Sequence, residues 1–156
     1  MKNFATLLAL ALALVIGLSS CGDDEQQQLE TDLALIEAYI LEEGINASST
    51  DSGLHYEIIE EGTGENPVAS SIVSCHYVGT LLDGTEFDSS DQSASALTFG
   101  LTQVIAGWTE GIPLIKEGGS IILIIPSYLA YGENSPGAGI PANAVLRFDV
   151  ELVDVQ

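Results

Sequence analysis

The sequence predicts an α+β fold: a mostly antiparallel sheet with one short helix, preceded by a separate N-terminal helix. Three observations carry this. Four segments rich in β-branched and aromatic residues, Leu54 to Glu60, Ile72 to Val78, Ser120 to Ile125 and Val145 to Val153, read as strands. Gly-rich turns separate them, and Asp83-Gly84, between Leu81-Leu82 and Phe87, has hairpin chemistry. Only one stretch of this region, about Ala106 to Lys116, suits a helix.

The elements follow in order. Lys2 precedes Phe4 to Leu18, a run of 15 residues without a charge. A membrane-spanning helix needs about 20 apolar residues and a signal-peptide core about 7–15, so residues 1–20 read as a secretory signal. Residues 21–28 hold the polar, acidic run Gly22 to Gln28 and read as a flexible tether. Leu29, Leu33, Ile36 and Ile40 fall on one face at helical spacing. Gly44 supplies a stop and Ile45 to Gly53 a linker, so residues 29–53 are a short helix and linker. The apolar face is expected to pack on the following domain, with weak dimerisation as the alternative. Residues 54–156 form the main domain, long enough for one core. Within it Ser135 to Ala142 alternates Pro and Gly too densely for anything but a loop.

Charge and motifs narrow the function. Three Lys and Arg face 23 Asp and Glu, a net charge of −20. Every acid follows Cys21, and loss of residues 1–20 removes Lys2, leaving 2 − 23 = −21. Such a chain repels phosphate backbones, so nucleic acid is excluded as a partner. Of the two cysteines, Cys75 lies in an apolar stretch and reads as a small buried hydrophobe, which argues against a disulfide framework. The sequence has no G-x-S-x-G, H-E-x-x-H, phosphate-loop or C-x-x-C motif. Its two histidines, His55 and His76, sit in different strands, so neither metal nor cofactor is expected. What remains is a set of aromatic residues beside turns: Tyr77, Phe87, Phe99, Trp108, Tyr131 and Phe148.

Two resemblances sharpen this. Leu18-Ser19-Ser20-Cys21 resembles the bacterial lipobox. That resemblance implies cleavage before Cys21, a diacylglyceryl group on its thiol and a lipid-anchored place in the cell envelope. Each buried methylene adds about 0.8 kcal/mol of membrane affinity. The acid-rich run after Cys21 also resembles a surface-export signal.

The second resemblance covers about 100 residues. Cys75-His76-Tyr77-Val78-Gly79-Thr80-Leu81-Leu82-Asp83-Gly84-Thr85-Glu86-Phe87-Asp88 is followed by Phe99-Gly100-Leu101-Thr102-Gln103-Val104-Ile105-Ala106-Gly107-Trp108. Lys116-Glu117-Gly118-Gly119, Tyr128-Leu129-Ala130-Tyr131-Gly132, Gly139-Ile140-Pro141 and Leu146-Arg147-Phe148-Asp149-Val150 come next. In this order and spacing the chain resembles the FKBP family of peptidyl-prolyl cis/trans isomerases, whose fold is a twisted antiparallel sheet wrapped around one short helix. The resemblance implies that Tyr77, Phe87, Phe99 and Phe148 wall a proline pocket floored by Trp108. Val104 and Ile105 would line the rim, with the Ile105 N–H and the Tyr131 hydroxyl donating to substrate carbonyls. Asp88 would sit beside the pocket and Ile140 on the flap above it. Proline-containing polypeptides are the implied partners, together with macrolides such as tacrolimus. The chain departs from the family pattern at Leu97, where many members carry an aromatic ring. Ala142 stands in place of a second flap proline, and Pro113 falls inside the helix after Trp108.

Overall fold

The computed structural model describes residues 21–90, 95–137 and 139–156. The expected signal segment, residues 1–20, lies outside them. Helix α1 (Cys21–Glu43) leads into strands β1 (Ser48–Ser49), β2 (His55–Glu60), β3 (Ile72–Leu81), β4 (Glu86–Ser89) and β5 (Leu97–Gly100). Helix α2 (Ala106–Gly111), β6 (Ser120–Ile125) and β7 (Leu146–Val155) complete the chain. All pairings are antiparallel, in the order β1-β2-β6-β7-β3-β4, and β5 pairs the first half of β3. The four strands expected from the sequence are all present, with β3 three residues and β7 two residues longer at their C-terminal ends. The hairpin forms at Asp83-Gly84, where Gly84 takes φ 84° and Leu81 and Thr85 close the turn.

The sheet has two unlike faces. On β3 the buried residues alternate as Val73, Cys75, Tyr77 and Gly79. On β7 they are Leu146, Phe148, Val150 and Leu152. These side chains meet α2 and its flanks in one core with Leu101, Ile112, Ile121, Leu123 and Ile125. Two glycines let the helix come this close. A Cβ on Gly107 would meet Ile125 at 2.5 Å, and one on Gly111 would meet Leu123 at 2.6 Å. Helix α2 ends at Gly111 and passes into a 3-10 turn, Ile112–Leu114, with Pro113 in its first positions. Proline costs least there because the first N–H groups of a helical turn lack partners anyway.

The other face receives α1. Ile36 is fully buried with Ile124 and Val145, flanked by Tyr39, Ile40, Ile45, Leu82 and Ile122. Packing on the main domain is therefore the fate of the apolar stripe. Gly44 (φ 69°) ends α1, and the Ile45 N–H closes back on the Ile40 carbonyl at 3.0 Å. The segment read as a tether differs from expectation: residues 21–28 continue the helix. Helix-favouring Gln residues, acids near the positive end of the helix dipole and a Gln28 to Asp32 side-chain bond of 2.8 Å account for this. No described helix is long and apolar enough to cross a membrane.

Candidate active site

Strand β3 points Tyr77 inward from the middle of the sheet, and β7 presents Phe148 from the neighbouring strand. Strand β5 adds Phe99, β4 adds Phe87, and α2 raises Trp108 against them all. The rings have a consistent geometry. Tyr77, Phe99 and Phe148 lie 5.2, 5.7 and 5.3 Å from the Trp108 ring, at 90°, 77° and 87° to its plane. Three rings standing nearly perpendicular to a common plane make walls, and the indole makes a floor. Phe87 leans edge-on against Phe148 at 5.5 Å and extends the wall outward. Edge-to-face contacts of this kind are worth about 0.5–1.5 kcal/mol each beyond burial, so the cup is held by its own rings.

The hollow has a volume of about 640 Å³. Gln103, Val104, Ile105 and Ala106 line it on the side of the loop entering α2, and Ala130, Tyr131 and Asp88 line it elsewhere. Nine of the ten residues expected to act or bind here are thus brought together. The exception is Ile140: it is 5 % exposed, belongs to the main core and does not line the hollow. The Ser135 hydroxyl donates to its carbonyl, and its own N–H bonds the Gly137 carbonyl at 3.0 Å, so a tight turn folds the side chain inward.

Polar groups are few and concentrated. The Tyr77 hydroxyl donates to Asp88 Oδ2 at 2.8 Å. Burial first, then the bond to Asp88, that carboxylate's charge and Tyr131 push the Tyr77 hydroxyl well above the usual tyrosine range. Tyr77 therefore stays protonated and its hydrogen committed. Ser90 locks the same strand from behind, accepting the Tyr77 N–H at 2.7 Å while its own N–H bonds the Tyr77 carbonyl at 2.9 Å. Ile105 takes an extended conformation at the start of α2, and its carbonyl receives the Trp108 and Thr109 N–H groups. Its own N–H enters none of the turn or cap bonds among the described residues. The Trp108 Nε1–H is buried without a partner among the described residues. An unpaired buried donor costs about 1–3 kcal/mol and calls for a functional reason.

A second hollow, of about 460 Å³, lies on the outer face of the sheet beside His76, Ile122, Asp149 and Glu151. Among the described residues, the ion pair at this hollow is that of Asp149 with Arg147 at 2.8 Å, and no hydrogen bond joins His76 to Asp149 or Glu151. His76 faces this side, opposite to the buried Cys75 and Tyr77. Burial pushes the Cys75 thiol up to about 12, the behaviour of an inert core residue.

Sequence reasoning missed Gln103, Ala106 and Ala130, which flank recognised residues, and it missed Asp32. That buried carboxylate on α1 touches the loop leading to Tyr131. An acid lying between Leu29, Leu33 and Ile36 on the same helical face was the available signal.

A family model described as FKBP-type peptidyl-prolyl cis-trans isomerase matches residues 63–153. The chain is 54% identical over 108 residues to the FKBP-type peptidyl-prolyl cis-trans isomerase FkpA of Aeromonas hydrophila, covering 69% of this chain and 40% of that protein. The crystal structure of FkpA from Escherichia coli superposes with a TM-score of 0.69 at 44% identity, over 86% of this chain and 66% of the other. A peptidyl-prolyl cis-trans isomerase structure from Pseudomonas syringae gives a TM-score of 0.69 at 32% identity, over 81% of this chain and 95% of the other. The chain spans less than half the length of the curated relatives it matches.

Proposed function

The chain belongs to the FKBP-type peptidyl-prolyl cis-trans isomerase family, and on that footing we propose that it catalyses cis/trans isomerisation of X–Pro bonds in exported polypeptides. The observation that carries this reading is the indole floor with three rings set nearly perpendicular around it, open on one side.

Rotation about a peptide bond meets a barrier of roughly 18–20 kcal/mol because the nitrogen lone pair is delocalised into the carbonyl. Uncatalysed X–Pro exchange takes about 10–100 s. No covalent bond is made or broken, so the reaction needs no nucleophile. The prolyl ring rests on Trp108 between Tyr77, Phe99 and Phe148, where water is excluded. The twisted amide is less dipolar than the planar one and loses less by leaving water. The Ile105 N–H and the Tyr131 hydroxyl donate to the carbonyls flanking the proline and hold the twisted geometry. Asp88 fixes the Tyr77 hydroxyl, so that ring presents a wall rather than a competing donor.

A macrolide of the tacrolimus type would occupy the same cup and compete with substrate. The lipobox-like Leu18-Ser19-Ser20-Cys21 supports a lipid on Cys21 and a place in the cell envelope. Helix α1 is docked on the domain from Asp32 onward, so the turns before it would form a short stiff spacer of about 15 Å rather than a loose tether. A weak dimer through this helix would use the outer side of α1, where Leu35 and Leu41 are exposed.

The test is a protease-coupled assay on an X-Pro peptide. Acceleration above background, weakened by Tyr131→Phe and blocked by tacrolimus, is the expected result. Binding of unfolded chains with no acceleration would replace catalysis by a holding role.

A further inference from the structure

The first helix carries a carboxylate that the isomerase reading does not use. Asp32 lies within the apolar stripe of α1 and is fully buried. A buried carboxylate is costly unless it is well bonded. Its partners are not cations. Oδ2 accepts the Ser127 N–H at 2.8 Å and the Ser127 hydroxyl at 2.6 Å, and Oδ1 accepts from Gln28 Nε2 at 2.8 Å.

Ser127 opens a 3-10 turn, Ser127–Leu129, preceded by Pro126, which makes no side-chain cap. A residue 95 positions earlier thus supplies the acceptor that the local sequence lacks. Hydrogen bonds donated to a carboxylate at these distances are the strong kind. The carbonyl of the same Ser127 receives the N–H groups of Ala130 at 2.9 Å and Gly132 at 2.8 Å, the residues on either side of Tyr131. Ala130 and Tyr131 line the cup. An unbroken chain of hydrogen bonds therefore runs from α1 to the two peptide units that place Tyr131.

The linker repeats the connection. The Ser52 hydroxyl lies 2.8 and 2.9 Å from the two carboxylate oxygens of Glu110 on α2, the helix that carries the indole floor. The Tyr128 hydroxyl donates to the Ser52 carbonyl. The segment before the main domain thus holds both the floor helix and the Tyr131 loop.

We propose that Asp32 is a positioning residue of the isomerase, acting through Ser127 on Tyr131, and that α1 is part of the machinery that sets the cup. The proposal rests on the reading of Tyr131 as a group that holds the substrate. Its test measures kcat and KM for an X-Pro peptide in the full chain. Asp32→Ala should lower kcat/KM by about tenfold, the scale of one lost charge-assisted bond. Asp32→Asn, which keeps an oxygen for Ser127, should recover most of the loss. In a Tyr131→Phe background, Asp32→Ala should have little further effect, because the hydroxyl through which it acts is gone. A folded Asp32→Ala with wild-type kcat/KM overturns the proposal, as does an equally large loss in the Tyr131→Phe background. Should Asp32→Ala fail to fold, Ser127→Ala removes the hydroxyl bond alone and enters the same cycle. The NMR shifts of the Tyr131 ring give a readout free of turnover. A ring unmoved by Asp32→Ala refutes the positioning role even in an active enzyme. A moved ring in a chain whose wild type has no activity refutes the isomerase reading and keeps the positioning role.

Discussion

Gly79→Ala tests whether the walls of the cup must stand where they do. Gly79 sits on the inner face of β3, paired with Phe148 on β7 and Asp88 on β4. A Cβ built there would lie 2.8 Å from Phe148 Cε1 and 2.8 Å from both Cε2 and Cζ of Phe87. Carbon atoms pack best at about 3.5–4.0 Å, so the rings must retreat by about 0.7–1.2 Å. Phe148 is wedged against Trp108 and Tyr77 and has nowhere to go. Phe87, half-buried and held mainly by Phe148, is the ring that swings out. Overpacking costs roughly 1–3 kcal/mol, and a displaced wall admits water to the site. The expected outcome is a folded domain, destabilised by about 1–3 kcal/mol in a urea titration, with kcat/KM lowered about tenfold for an X-Pro peptide. An unchanged kcat/KM, with both phenyl rings in place around the alanine in the variant's crystal structure, would show that the walls need not stand where they do.

Three further outcomes follow from the same contacts. Asp88→Ala should free the Tyr77 hydroxyl and weaken turnover. Tyr77→Phe should then add little in that background, because the two side chains share one bond; a double-mutant cycle reads this coupling. Stability should fall as pH rises above about 9, since burial pushes the Cys75 thiol up from its ordinary 9.0 to about 12 in the folded chain. The unfolded chain loses that proton first, so the slope is negative, at most about 1.4 kcal/mol per pH unit for one proton, and pH-dependent urea midpoints of wild type against Cys75→Ala measure it. Ile36→Ala should cost about 2–5 kcal/mol and loosen α1 first, visible as faster amide exchange in that helix than in β7.

Much of this architecture was legible because the pattern was strong. The alternation in β3 and β7 keeps period two over nine residues, Ile72 to Thr80, and eight, Leu146 to Val153, and a one-residue slip would turn those buried side chains outward. The aromatic set was readable from its positions beside turns, and the structure gathers it around one hollow. Other features depend on distance in space rather than on local chemistry. Strand β1, two residues long, exists only because β2 offers Tyr56 and His55 as partners. Residues 21–28 look like a flexible tether by composition, yet a helix already nucleated and docked through Ile36 extends backward at little cost. Gly107 and Gly111 look unfavourable in a helix until Ile125 and Leu123 are seen pressed against them. Asp32 and Ile140 carry the same lesson in opposite senses. A charge in an apolar stripe proves to be a tertiary cap, and a residue expected to hang over the pocket proves to be core.

In the proposed mechanism an apolar cup floored by Trp108 lowers the barrier to X–Pro rotation without covalent chemistry. Exchange NMR on a proline peptide, with no coupling protease, tests it most directly by counting cis/trans crossings at equilibrium. Catalytic amounts of the protein should raise the exchange rate far above the uncatalysed one, and Trp108→Ala, although still folded, should remove most of the gain. Exchange at the uncatalysed rate with wild-type protein, or an undiminished rate with Trp108→Ala, would contradict it.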